Sequence, residues 1–472
     1  MGTYRTCYVT DERMLEHWND LKRWMPERPD RLRVAHQLLK SKGLLDRCLI
    51  LKPRSARDEE IGLVHTEKHI ETIRAIENMS LEEMTRIYEA IVPGTIIGPE
   101  TNKCARLAAG CLLETVDAVI TGLCRNGVAL IRPPGHHSGP ETVSGYCIFN
   151  NAAIAAEYAL REHGLKRVLI FDWDVHHGNG TQEIFYNDNR VLYISLHRYS
   201  LKIFPFSEIA DAPNIGEGPG KGYNINIPWR KPAMKDADYL AAMYQLLLPV
   251  ASEFNPELVI ISAGFDSAVG DFLGDCCVTP SCYGLMTSLL SNLAHGNVIV
   301  QLEGGYNVDQ VAECLASCTS VLLGDACAPV TDLTPSKSAL ASIEKVKEAI
   351  QPYWACLTPE DTPIIVEPTN RIEKWQLPLQ NCPHACSSVS ALPPEGLKDR
   401  LDKAQGALQW LCLHCFELLS DERGDHMKQE RHLTAINIKE MTVWCQGCQW
   451  IITHEALVPA LAEVRRWQLG RV

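Results

Sequence analysis

The 472-residue sequence has no apolar run long enough to cross a membrane, and its start, MGTYRTCYVTDERM, has no hydrophobic signal core. Neither a membrane-spanning nor an exported protein is therefore expected. The start matches a loose acylation pattern through Gly2 and Thr6, but Cys7-Tyr8-Val9 reads better as a first strand. Basic charge is also scarce: 45 Lys+Arg against 58 Asp+Glu give a net charge of −13. Nucleic acid is accordingly not expected as the main ligand, while a basic partner such as a lysine-bearing tail is tolerated. There is no internal repeat. Nineteen cysteines without a signal do not suggest a disulfide framework; many sit in apolar contexts, and those in pairs near the C-terminus suggest metal. The expected compartment is reducing: cytoplasmic, and nuclear as a further option.

What is present is a large α/β pattern followed by a smaller segment, as the length leads one to expect. Helical spacing marks Arg28–Lys40, Glu67–Asn78, Thr101–Gly122, Ala152–His163 and Asp238–Glu253. Between them, five short β-rich runs each end in a polar, glycine-containing loop. Gly127–Arg132 leads into Pro133-Pro134-Gly135-His136-His137, and Val168–Phe171 into Asp172, Asp174, His176 and His177. Val191–Leu196 leads into His197-Arg198-Tyr199, Leu258–Ala263 into Gly264-Phe265-Asp266, and Val298–Leu302 into Glu303-Gly304-Gly305-Tyr306. This alternation predicts a mostly parallel sheet covered by helices, with all five loops meeting at the carboxyl ends of the strands.

Those loops carry chemistry. Ionisable groups at the end of a buried strand are costly unless paired or bound to something. Asp174 and His176, two apart, share a face in extended backbone; with Asp266 they give two carboxylates and an imidazole, a three-ligand set with an open position that suits catalytic zinc. His136 and His137 can serve as electrostatic partner and general base beside activated water, with Asp172 orienting an imidazole. Tyr306, on a loop expected to be flexible at Gly304-Gly305, can donate to a developing oxyanion. The parts describe metal-assisted hydrolysis of an amide. A two-metal site would need further carboxylates where Gly178 and Ala268 stand, so one catalytic metal is expected.

The phrases RPPGHH, DWDVHHGNG, SLHRY, FNPELVIISAGFDSA and LEGGYN, spread over Tyr4–Trp354, together resemble a zinc-dependent histone deacetylase, most closely of class IIb. The resemblance implies an arginase/deacetylase fold with an eight-stranded mostly parallel sheet, and hydrolysis of acetyl-lysine. By it, Asp174, His176 and Asp266 are zinc ligands, His137 the base and then acid, His136 its partner supported by Asp172, and Tyr306 the carbonyl-polarising group. Asn179 stands where class I enzymes have a second supporting aspartate. Up to two structural potassium ions are implied, one at Asp172, Asp174, His176, Ser195 and Leu196, the other at Phe185, Asp188, Val191 and Tyr223. Gly145, Tyr146 and Phe204 match tunnel walls. Leu273 falls where a polyamine-hydrolysing branch has a glutamate, which favours acetyl-lysine in proteins, tubulin-like or histone-like. Acetylpolyamine hydrolysis is the alternative, as is a catalytically weak adaptor for acetyl-lysine or the ubiquitin system. Two departures bear on peptide affinity: Pro93 replaces an aspartate, and the loop after His197-Arg198-Tyr199 is one residue shorter.

The expected domains are 1–355 (catalytic), 356–376 (linker, rich in Pro, Thr and Glu) and 377–472. The last resembles a shortened ubiquitin-binding zinc finger. Eight ligands would hold two structural zincs: Cys382, His384, Cys445 and Cys448 for one, Cys412, Cys415, His426 and His432 for the other. Trp444 matches the ubiquitin pocket, but Ser420-Asp421 and Gln446 replace its other members, so weakened or lost ubiquitin capture is expected.

Overall fold

The computed structural model describes residues 5–22, 24–91, 95–331 and 333–357, together with 379–380, 410–413, 418–419, 434–437, 443–445 and 450–453. The chain divides into two compact units, Met1–Asp361 and Thr362–Val472. In the first, eight strands form one sheet: β1 (Thr6–Val9), β2 (Leu49–Ile50), β3 (Asn126–Ala129), β4 (Val168–Asp172), β5 (Val191–Arg198), β6 (Asn224–Trp229), β7 (Leu258–Ala263) and β8 (Val298–Leu302). Their order is β2-β1-β3-β8-β7-β4-β5-β6 and every pairing is parallel. β4, β7 and β8 are wholly buried, which explains their unbroken apolar runs. The five strands β3, β8, β7, β4 and β5, whose C-terminal loops carry the polar motifs, are consecutive neighbours, so those loops share one edge of the sheet.

The pattern-based boundaries need correction at several places. β3 ends at Ala129 rather than Arg132. There the chain leaves the ladder, because Arg132 turns into a buried ion pair and Pro133 and Pro134 have no N–H to donate. β4 includes Asp172, whereas Asp174 and His176 lie beyond the strand in the loop that follows it. The helix expected over Asp238–Glu253 runs as Asp236–Ala242, a π-helical turn Met243–Leu247, and Leu248–Phe254; Pro249 removes a donor just after the π turn. β2 and β6 were not readable. β2 is two residues long, and β6 interleaves Asn224, Asn226 and Pro228 with its apolar residues. Asn224 and Asn226 are buried because both amides donate to Gln182 Oε1, at 3.0 and 2.9 Å.

A buried ion network braces the loop that follows β3. Arg132 grips Glu27 through Nε (3.0 Å) and Nη2 (2.7 Å), and donates to the carbonyls of Met14 (2.6 Å) and His17 (2.8 Å). Arg31, on helix Asp30–Ser41, adds a 2.9 Å bond to Glu27. Burial alone would push Glu27 up, but Arg132 and Arg31 hold it at about 2. Its contribution to stability is therefore complete above its ordinary value of 4.5 and fades as pH falls toward about 2.

The second unit holds β9 (Leu379–Gln380), β10 (Trp410–Cys412), β11 (Leu418–Leu419), β12 (Thr434–Asn437), β13 (Val443–Cys445) and β14 (Trp450–Thr453) in the order β11-β10-β12-β13-β14-β9. Pairing is antiparallel except between β14 and β9. Of the expected finger ligands, Cys412 is a buried residue of β10 and Cys445 ends β13. Cys382, His384, Cys415, His426, His432 and Cys448 lie outside the described residues, as do most of the expected linker, Pro93 and Gly2.

Replacing Glu27 by Gln is expected to destabilise the protein by about 3–5 kcal/mol, because two buried guanidinium groups lose their counter-charge. Denaturant unfolding measures this; a change below 1 kcal/mol would show that the network is not needed for the fold.

Candidate active site

Asp174, His176 and Asp266 converge where the loops after β4 and β7 meet. His176 Nδ1 lies 3.2 Å from Asp174 Oδ1 and 3.1 Å from Asp266 Oδ2. The carboxylates are immobilised by backbone donors: Asp174 Oδ1 accepts from His176 N (2.9 Å), Asp174 Oδ2 from Gly304 N (2.8 Å), and Asp266 Oδ1 from Val175 N (2.8 Å). Burial and the adjacent Asp174 charge push Asp266 up to about 7. Asp174 is held low against its burial by the positive imidazoles of His136 and His176. Two buried carboxylates and one imidazole, with donor atoms within 4.8 Å of one another, fit a divalent cation, whose charge removes this repulsion.

The two adjacent histidines are supported differently. His136 Nδ1 is 3.0 Å from Asp172 Oδ2, which also accepts from Tyr193 Oη at 2.9 Å. Burial opposes a charge on His136, but Asp174, Asp172 and Glu303 raise it well above the ordinary imidazole range. His137 Nδ1 instead meets Asn179 Oδ1 at 2.9 Å. Since an amide oxygen only accepts, Nδ1 carries the hydrogen and Nε2 keeps its lone pair. Burial and the neighbouring His136 charge hold His137 well below the ordinary range. His177 is turned away, its Nε2 2.8 Å from Gln182 Oε1.

Tyr306 is buried, and burial together with the Asp266 and Asp174 charges keeps its hydroxyl protonated. Its ring meets Tyr146 edge-on at 5.6 Å and lies under Arg31 at 5.3 Å. The loop before it is clamped, contrary to the flexibility expected of Gly304-Gly305. Arg31 donates to the carbonyls of Gly305 (2.5 Å) and Glu303. The glycines are there for space and conformation: a Cβ on Gly304 would stand 2.4 Å from Asp174 Oδ2 and 2.5 Å from Asp266 Oδ2, and Gly305 has φ +110°.

Of the residues expected to wall a substrate tunnel, Phe204 and Gly145 lie against His137. Phe204 stands edge-on to His137 at 4.8 Å, and a Cβ on Gly145 would be 2.7 Å from His137 Cδ2. Leu273 is partly exposed beside Phe272, whose ring is 6.5 Å from Tyr306. Of the residues expected around cations, Asp172 pairs with Ser195 across β4 and β5, with Leu196 next along β5. Phe185 ends a helix, Asp188 lies in the turn that follows and Val191 opens β5; the Asp188 carboxylate is 2.6 Å from Arg190, and the Tyr223 carbonyl accepts from Tyr193 N.

Sequence reading missed Glu303, Arg31 and Tyr193. Glu303 Oε2 accepts from Gly135 N (2.7 Å) and His136 N (3.2 Å), fixing the histidine loop from β8. Glu303, His136 and Cys147 form a second close group, but Cys147 Sγ already accepts from His137 N at 3.4 Å, and burial and Glu303 keep its thiol protonated. The position of Glu303 between β8 and the glycines was the available signal.

The chain matches the histone deacetylase domain family over residues 25–322. It is 44% identical over 382 residues to human polyamine deacetylase HDAC10, covering 79% of this chain and 56% of that protein. Histone deacetylase 6 of Caenorhabditis elegans is 34% identical over 505 residues, covering 94% and 53% respectively. The solved HDA15 HD domain superposes with a TM-score of 0.69 at 40% identity, covering 75% of this chain and 97% of that one. The chain thus spans just over half the length of these two curated relatives.

Chelating bound metal is expected to lower the stability of the catalytic unit and added zinc to restore it, by about 4 kcal/mol of unfolding free energy at a thousandfold excess over Kd. Asp266→Asn should remove that response from the unfolding of the catalytic unit, measured by scanning calorimetry on the full chain, and leave any zinc response of the second unit unchanged. An equal response in the variant would place the metal elsewhere.

Proposed function

The chain belongs to the histone deacetylase family, and on that premise we propose that it hydrolyses N6-acetyl-lysine in proteins to lysine and acetate. The observation that carries this reading is the asymmetric support of the histidine pair: a carboxylate behind His136, an amide oxygen behind His137. Two groups whose environments push their protonation apart divide acid and base work. Asp174, His176 and Asp266 would hold zinc, which would supply Lewis acidity toward the amide carbonyl and the attacking water. His137 Nε2 takes the proton of the water and returns it to the lysine nitrogen as the C–N bond breaks. His136, positively charged beside it, offsets negative charge as the carbonyl carbon becomes tetrahedral. Tyr306 donates its hydroxyl hydrogen to the developing oxyanion. Gly145, Tyr146 and Phe204 sheathe the methylene stem. Structural potassium at the two sites named above, two finger zincs in the second unit, tubulin-like or histone-like substrates, and a cytoplasmic setting with a nuclear option belong to the same proposal.

Acetylpolyamine hydrolysis is the second reading, favoured by the 44% identity to polyamine deacetylase HDAC10. A second ammonium at the mouth would call for a carboxylate there, whereas Phe272 and Leu273 offer apolar surface.

Metal-replete full-length protein is expected to release acetate from acetyl-lysine peptides faster than from acetylspermidine, and Tyr306→Phe to lower kcat by about 100-fold or more. The opposite substrate preference would favour the polyamine reading. No turnover of either substrate would leave an acetyl-lysine-binding adaptor.

A further inference from the structure

We propose that Asp271 is a positioning residue for Tyr306, joining the rim of the pocket to the backbone that carries the oxyanion donor; this rests on the deacetylase reading. Asp271 is 7% exposed, and its carboxylate gathers four backbone donors from two separate loops. Oδ2 accepts from Tyr306 N at 2.6 Å and Asn307 N at 3.0 Å. Oδ1 accepts from Leu273 N at 2.9 Å and Gly274 N at 3.4 Å. Charge-assisted bonds of this kind are roughly twice as strong as neutral ones.

The need for such an anchor follows from what precedes Tyr306. Gly304-Gly305 has little steric resistance to rotation, so Tyr306 stays in place only if the chain is held on both sides of it. On one side Gly304 N donates to Asp174 Oδ2 (2.8 Å), Gly304 O accepts from Phe265 N (3.0 Å), and Arg31 holds the Gly305 carbonyl. On the other side Asp271 takes the N–H groups of Tyr306 and Asn307. Asn307 reinforces the join: its Nδ2 donates to Gly270 O at 2.9 Å, while its Oδ1 caps helix Val308–Leu322. The ring itself is placed by face and edge contacts with Arg31, Tyr146 and Phe272, which are weakly directional. The position of the tyrosine backbone therefore decides where the hydroxyl reaches. The loop so joined to Tyr306 is also the one that presents Phe272, 66% exposed, and Leu273, 41% exposed, to whatever flanks the acyl-lysine.

Asp271→Asn keeps the shape but turns one acceptor oxygen into an NH2 group facing two N–H donors. In the full chain it is expected to lower kcat by about 100-fold, the cost of misplacing a reacting group by about 1 Å, with KM changed less than about twofold because the tunnel walls are untouched. In a Tyr306→Phe background, where the hydroxyl is already gone, Asp271→Asn should have no further effect on kcat. Metal content and the denaturation midpoint are measured alongside. A loss of the same size in the Tyr306→Phe background, or a rise in KM at constant kcat, would overturn the proposal. Asp271→Ser carries the same expectation if the asparagine variant misfolds; if neither folds, Asp271 is a folding residue and the proposal fails. Wild-type turnover separates the two readings. A wild type inactive on acetyl-lysine peptides and acetylspermidine refutes the deacetylase reading and this proposal with it, while an active wild type with an unimpaired Asp271→Asn refutes this proposal alone. If only the polyamine is turned over, the comparison is made on that substrate.

Discussion

Four buried carboxylates at the ends of neighbouring parallel strands set the terms for the rest of the catalytic unit. Asp172, Asp174, Asp266 and Glu303 all lie out of contact with water, where like charges repel far more strongly than in solution. Such a group persists only if every oxygen is engaged and positive charge is supplied. Backbone N–H groups from Val175, His176, Gly304, Gly135, His136 and Asp174, with Tyr193 Oη on Asp172, His176 Nδ1 beside Asp266 Oδ2 and Gln301 Nε2 on Glu303, meet the first demand. A charged His136 meets part of the second, and a divalent cation held by Asp174, His176 and Asp266 would complete it.

The same constraint explains why glycine stands where it does and how two identical side chains come to differ. Gly264 and Gly304 press against the Asp174 side chain, where any Cβ would collide with it. That closeness lets the Gly304 N–H reach Asp174, on the same loop that carries Tyr306. The difference between His136 and His137 is made outside the rings, by Asp172 and Asn179. A carboxylate favours imidazolium, whereas an amide oxygen fixes a tautomer without adding charge. One atom's identity at position 179 therefore bears directly on how the pair divides its roles.

Much of this was legible in the sequence. β7 and β8 lie where the apolar runs indicated, and the five polar loops meet because their strands are neighbours. Asp174, His176 and Asp266 stood out because ligand-type residues are rare at the ends of buried strands. What escaped was of two kinds. β6 hides its burial behind asparagines whose partners are remote in sequence, and β2 is too short to show a pattern. Glu303 and Arg31 act on backbone atoms far along the chain, Glu303 on Gly135 and Arg31 on Gly305, a relation that local spacing does not encode. Gly304-Gly305 misled for the same reason: the pair reads as flexible until Arg31 and Asp174 are seen holding it.

The central claim is that one divalent cation sits among Asp174, His176 and Asp266 and nowhere else in the buried polar cluster. Anomalous diffraction at the zinc edge, on crystals of the zinc-loaded protein, tests it most directly. The account expects a single peak in the catalytic unit, within about 2.0–2.2 Å of His176 Nδ1 and of an oxygen from each aspartate. A peak among His136, Cys147 and Glu303, or two peaks bridged by one carboxylate, would contradict it.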